Sequence, residues 1–104
     1  MRPCIVYDIY VGLRSRDGEV FLLDETQVNH ILQLCNVDSA TIFHTGGFWK
    51  GNAEPSFMVR VVDTKPGTLC AEVRAVACRL RELYKQDSAL VTAQSEGITS
   101  AYSV

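Results

Sequence analysis

The chain has 104 residues, of which 47% are hydrophobic and 21% charged, and its formal net charge is −2. That is enough chain for one self-supporting core and too apolar a mixture for a disordered segment. The acidic balance argues against a broadly basic nucleic-acid binder, and no apolar run nears the roughly 18 residues of a membrane span.

Met1-Arg2-Pro3-Cys4 leads straight into a strand without the apolar stretch of a secretory leader, so residence in the cytoplasm is expected. From Cys4 to Leu13 the residues alternate. Ile5, Tyr7, Ile9 and Val11 fall on one face, and Val6, Asp8 and Tyr10 on the other. Gly12 and the run Arg14-Ser15-Arg16-Asp17-Gly18 end this strand, with Asp17-Gly18 a strong turn signal.

Asp24 is suited to cap the first helix, with Gln27 three residues on in a capping-box pattern. Val28, Ile31, Leu32 and Cys35 follow at helical spacing, and Asn36 or Asp38 stops the helix. A short second strand is expected over Ala40–Thr45. A glycine-rich loop over residues 44–56 follows, holding three of the seven glycines and the only tryptophan. Pro55 is expected to open a third strand running to Val62. After the Lys65-Pro66-Gly67 turn, Thr68 is expected to cap a second helix. Its stripe is Leu69, Val73, Val76, Ala77, Leu80, Leu83 and Tyr84. Ser88–Ala93 reads as a fourth strand, Glu96-Gly97 as a turn, and Ile98–Val104 as a fifth strand or ordered tail. The order β-α-β-β-α-β predicts an α+β, ferredoxin-like two-layer sandwich in a single domain over 1–104. Its antiparallel sheet has strand order 4-1-3-2, and both helices cover one face.

The uncovered face would then carry Val6, Asp8 and Tyr10 from the first strand and Met58, Arg60 and Val62 from the third, with Leu90 nearby. Asp8 and Arg60 would pair across neighbouring strands, either as a solvated pair of little value or inside a subunit interface. So apolar a face predicts a homo-oligomer, with a dimer favoured, built on Val6, Asp8, Tyr10, Met58, Arg60 and Val62.

Among chemistry-bearing residues, His44 beside the glycine loop is the one candidate acid or base. A cleft of Tyr10, His44, Phe48 and Trp49, with Lys50 beside it, would be mostly apolar with a few polar groups, as ligand sites are. His30 and the stripe Arg74, Arg81 and Lys85 read as solvated helix positions. Cys4, Cys35, Cys70 and Cys78 are irregularly spaced and form no Cys-x-x-Cys. Reduced thiols, no metal and no cofactor are therefore expected. An RNA-recognition surface would want more sheet aromatics than Tyr10. A phosphate loop would want more glycine than Arg14–Gly18 holds.

The run Ile9-Tyr10-Val11-Gly12-Leu13 with Asp17-Gly18, then Gly47-Phe48-Trp49, Glu54-Pro55-Ser56 and Tyr84-Lys85-Gln86-Asp87-Ser88-Ala89-Leu90-Val91 resemble small uncharacterised ferredoxin-like proteins of bacteria and their mobile elements. The resemblance implies the fold and brings no activity with it. The expected function is a non-enzymatic, homo-oligomeric binding module that contacts a small molecule or protein through the glycine loop and the open sheet. The alternatives are a small cofactor-independent enzyme using His44 and a metabolite-sensing regulatory domain.

Overall fold

A computed structural model describes residues 3–104, so Met1 and Arg2, read above as leading into the first strand, lie outside the described residues. Five strands and two helices follow one another as β1 (Ile5–Gly12), α1 (Glu25–Leu34), β2 (Thr41–Trp49), β3 (Asn52–Asp63), α2 (Cys70–Leu83), β4 (Leu90–Ser95) and β5 (Ile98–Ser103). The antiparallel sheet runs β2-β3-β1-β4-β5, which is the expected 4-1-3-2 order with β5 added outside β4. The fold is the ferredoxin-like sandwich.

Alternation decides which face is covered. Tyr7, Ile9, Val11, Phe57, Val59, Val61 and Val91 point to the helices and are buried with Val28 and Leu32 of α1 and Val73, Val76, Ala77 and Leu80 of α2. These residues form one core, and burying each of the larger side chains stabilises the fold by roughly 1.5–3 kcal/mol before chain entropy is subtracted. Tyr84 closes that core at the end of α2, edge-on to Phe21 and Phe57, and its hydroxyl accepts a hydrogen bond from the Asp24 backbone N–H at 3.0 Å. Asp24 in turn caps α1, its carboxylate accepting from the Gln27 backbone N–H at 3.1 Å. Asn36 ends α1 in the left-handed region, at φ 61°.

Besides the shift of β4 from the expected Ser88–Ala93 to Leu90–Ser95, two boundaries differ from the expectation. The glycine-rich segment is not a loop but the end of a β-hairpin: Trp49 pairs with Asn52, and only Lys50 and Gly51 form the turn. Both have positive φ, 50° and 80°, which suits the primed two-residue turn that matches strand twist. Gly46 and Gly47 are ordinary strand residues with open space where a side chain would stand. Glu96 and Gly97 make the same kind of turn between β4 and β5.

The second difference is at α2, where Thr68 is not the cap. Leu69 takes the cap position without a side-chain hydrogen bond. Asp63, at the end of β3, organises the turn instead. It accepts from the Lys65 N–H at 3.0 Å, the Thr68 hydroxyl at 2.9 Å and the Leu69 N–H at 3.1 Å. Burial pushes this carboxyl up, but the three hydrogen bonds outweigh it and hold Asp63 below its ordinary value. The solvated-stripe expectation also changes in part, because Arg74 lies 4.5 Å from the centre of the Tyr102 ring.

Candidate active site

The β2–β3 hairpin continues past the end of β1, which stops at Gly12 opposite Ser56. This overhang forms one wall of a cavity of about 400 Å³, to which it contributes Trp49 and Glu54. The second wall is the turn after β1, with Arg14, Ser15, Arg16 and Gly18. The third is the connection from α2 to β4, with Gln86, Asp87 and Ser88. A second hollow of about 340 Å³ shares Arg14, Trp49 and Glu54 and continues along the arm.

Each wall is held by a specific device. Leu13 donates its N–H to the Pro55 carbonyl at 2.9 Å, joining the turn to the hairpin. Ser15 is buried at the heart of its turn: its N–H donates to Glu19 O at 2.7 Å, and its hydroxyl accepts from the Glu19 N–H at 3.2 Å. Gln86 joins the other two walls. Its side-chain Nε2 donates to Arg14 O at 2.9 Å and to Tyr84 O at 2.8 Å. Gly12 makes room for that amide, since a Cβ there would stand 2.6 Å from Gln86 Oε1. Arg16 and Asp87 form an ion pair across the same two walls. The hydrogen bond from Arg16 to the Asp87 carboxylate, and the charge behind it, raise the guanidinium above its ordinary value.

Cavity chemistry is therefore mixed. Trp49 supplies an aromatic surface 62% exposed, and Lys50 Nζ already lies 5.7 Å from its ring centre. Glu54 is half-buried and belongs to none of the ion pairs among the described residues. Ser15 and Ser88 add hydroxyls. Among the described residues no group of three or more His, Cys, Asp and Glu side chains is arranged to hold a metal ion, and no helix is long and apolar enough to cross a membrane.

The expected cleft of Tyr10, His44, Phe48 and Trp49 does not form, because strand alternation separates its members. Trp49 lines the cavity, while Phe48, next to it, points to the opposite side and is 82% exposed. His44 sits opposite Phe57 on the helix side of the edge strand, with Nε2 3.6 Å from Glu25 Oε1 of α1. It is not at the cavity. Lys50 is in the hairpin turn, and Tyr10 lies in the middle of the open face, paired with Met58 and Leu90. The cavity's acids, its arginines and Gln86 were missed because they come from three separate segments. The one sequence signal was that both Arg14–Gly18 and Gln86–Ser88 immediately flank strand ends.

The open face itself carries the residues assigned to it. Phe43, Met58, Tyr10 and Leu90 form one row across four strands, and Thr41, Arg60, Asp8 and Thr92 the next. Asp8 and Arg60 pair through two hydrogen bonds of 2.8 and 3.0 Å, with Arg60 5.5 Å from the Phe43 ring centre. The hydrogen bond to Asp8 and its charge raise the Arg60 guanidinium. Val6 is half-buried and Met58 buried within the single chain, so Tyr10, Phe43, Val62 and Leu90 make up the exposed apolar part.

No family model and no curated protein matches this chain in sequence. Solved structures do match. A phage SAM lyase in complex with S-methyl-5′-thioadenosine superposes with a TM-score of 0.77 at 23% identity, over 97% of this chain and 88% of that one. A phage SAM lyase in its apo state superposes with a TM-score of 0.79 at 24% identity, over 96% and 87%. At this identity the likeness establishes the fold. The expectation of a non-enzymatic binding module is corrected in that both structures matching over nearly the whole chain are of an enzyme, a phage SAM lyase.

Proposed function

We propose that this chain is an enzyme that cleaves S-adenosylmethionine to S-methyl-5′-thioadenosine in the cavity between the hairpin arm and the two neighbouring turns. The observation that carries this reading is the near full-length match to the phage SAM lyases, one of them holding that thioadenosine. The cavity supports it chemically. Its volume of about 400 Å³ lies within the range of roughly 300–1,000 Å³ usual for small-molecule sites. The Trp49 ring suits a stacked base or a sulfonium, because an indole face stacks on bases and attracts cations. Glu54, in no ion pair among the described residues, supplies negative charge for a cationic substrate.

Passing from S-adenosylmethionine to the thioadenosine breaks the bond between sulfur and the γ-carbon of the amino-acid chain. The bonding pair returns to sulfur and discharges the sulfonium. A lyase adds no water, so the γ-carbon is satisfied from within the substrate, by an internal nucleophile whose lone pair forms the new bond as the bond to sulfur breaks. In this scheme the protein's part is to bind, orient and exclude water. Incubating the purified protein with S-adenosylmethionine should yield S-methyl-5′-thioadenosine by chromatography. Substrate left intact at equimolar protein would refute the proposal.

The exposed row of Tyr10, Phe43 and Leu90 supports self-association of the enzyme through its open face. Light scattering on the purified protein tests this, and a monomer at micromolar concentration excludes it.

A further inference from the structure

The cavity has two chemically different ends. The arm contributes an aromatic ring and one carboxylate, Trp49 and Glu54, whereas the two turns contribute Arg14 and a paired set of opposite charges, Arg16 and Asp87. That pair is set on a fixed frame. Ser15 is buried and hydrogen-bonded on one side of Arg16, and Gln86, next to Asp87, is tied to Arg14 O. Both charged side chains are nevertheless well exposed, at 77% and 64%, so an isolated surface ion pair here would add little to stability. Its placement in the cavity calls for another use.

We propose that Arg16 and Asp87 form the subsite for the α-amino-acid end of the sulfonium substrate, Arg16 taking the carboxylate and Asp87 the ammonium. Resting on the lyase reading above, this assigns the enzyme a requirement for a free zwitterionic terminus. The planar guanidinium fork matches a carboxylate with two parallel hydrogen bonds, and a carboxylate accepts from an ammonium with the same charge assistance. Substrate entry exchanges one internal pair for two external ones, so no charge is left unmatched. S-methyl-5′-thioadenosine carries no such terminus. Once the amino-acid portion has departed, Arg16 and Asp87 pair again and hold nothing of the nucleoside product.

The test compares turnover of S-adenosylmethionine with binding of its decarboxylated analogue, the same sulfonium lacking the carboxylate, and measures analogue and thioadenosine affinity by calorimetry. Arg16→Gln should raise KM for S-adenosylmethionine about tenfold, while leaving Kd for the decarboxylated compound and for the thioadenosine within about twofold. Asp87→Asn should raise KM for S-adenosylmethionine and Kd for the decarboxylated compound. The exchange Arg16→Asp with Asp87→Arg restores the tie between the turns but presents the charges in the wrong places, so KM should stay high. Recovery of KM in the exchanged protein would overturn the subsite and make the pair a structural strap. An equal loss on both sulfoniums with Arg16→Gln would overturn it as well. If the wild-type protein makes no thioadenosine, the lyase reading itself falls and the subsite with it.

Discussion

Gly12→Ala isolates the device that joins two walls of the cavity. The new Cβ would stand 2.6 Å from Gln86 Oε1, with no atom outside that side chain among its three nearest neighbours. Gln86 must swing away by about an ångström to reach ordinary contact, and in doing so it gives up its hydrogen bonds to Arg14 O and Tyr84 O. Two such bonds, one of them exposed, contribute roughly 1–2 kcal/mol together. For a domain of this size the melting temperature should fall by roughly 5–10 °C. Gly12 does not have positive φ, so in the absence of the clash alanine should be the better residue there. In a Gln86→Ala background, Gly12→Ala should therefore change sign and stabilise by up to about 0.5 kcal/mol, through the reduced freedom of the unfolded chain. Thermal or urea unfolding of the four proteins completes the double-mutant cycle. Equal destabilisation by Gly12→Ala in both backgrounds would refute the reasoning.

Three further outcomes are expected. Asp63 has a lowered folded-state pKa, so its contribution is present above the ordinary carboxyl value of 3.8 and lost as pH falls through the lower folded value. Asp63→Asn should cost about 1–3 kcal/mol at pH 7 and progressively less as pH is lowered below 3.8, read from urea midpoints; a cost that does not change with pH would exclude the mechanism. Trp49→Ala should leave the melting temperature nearly unchanged, because the indole is mostly exposed, yet weaken thioadenosine binding about tenfold or more. Calorimetry showing unchanged affinity would remove Trp49 from the site. Arg60→Ala should destabilise more than Asp8→Ala, because Asp8 is 8% exposed and would be left without a counter-charge, while Arg60 at 43% side-chain exposure can turn to water. Urea unfolding that reverses this order would show Asp8 to be better hydrated than its burial implies.

Local pattern alone determined the layers of this protein. Period-two alternation in β1 and β3 separates Tyr7, Ile9 and Val11 from Val6, Asp8 and Tyr10, and the helical stripes of α1 and α2 supply apolar faces for one side of that sheet. Even the Asp8–Arg60 pair follows, because antiparallel register and face parity are counting arguments once neighbouring strands are known. The same parity rule, carried through the glycine-rich segment, would have separated His44 and Phe48 from Trp49. Three glycines suggest a loop there, whereas among them only Gly51 has the positive φ that a turn demands. What tertiary structure alone decided is the cavity. Arg14, Arg16, Glu54, Gln86 and Asp87 lie as far as 73 residues apart in sequence and meet only because β3 overruns the end of β1 beside the turn that enters β4. Short-range periodicity encodes which side of an element is buried, but not how far one strand overhangs its neighbour, and that overhang brings these side chains together.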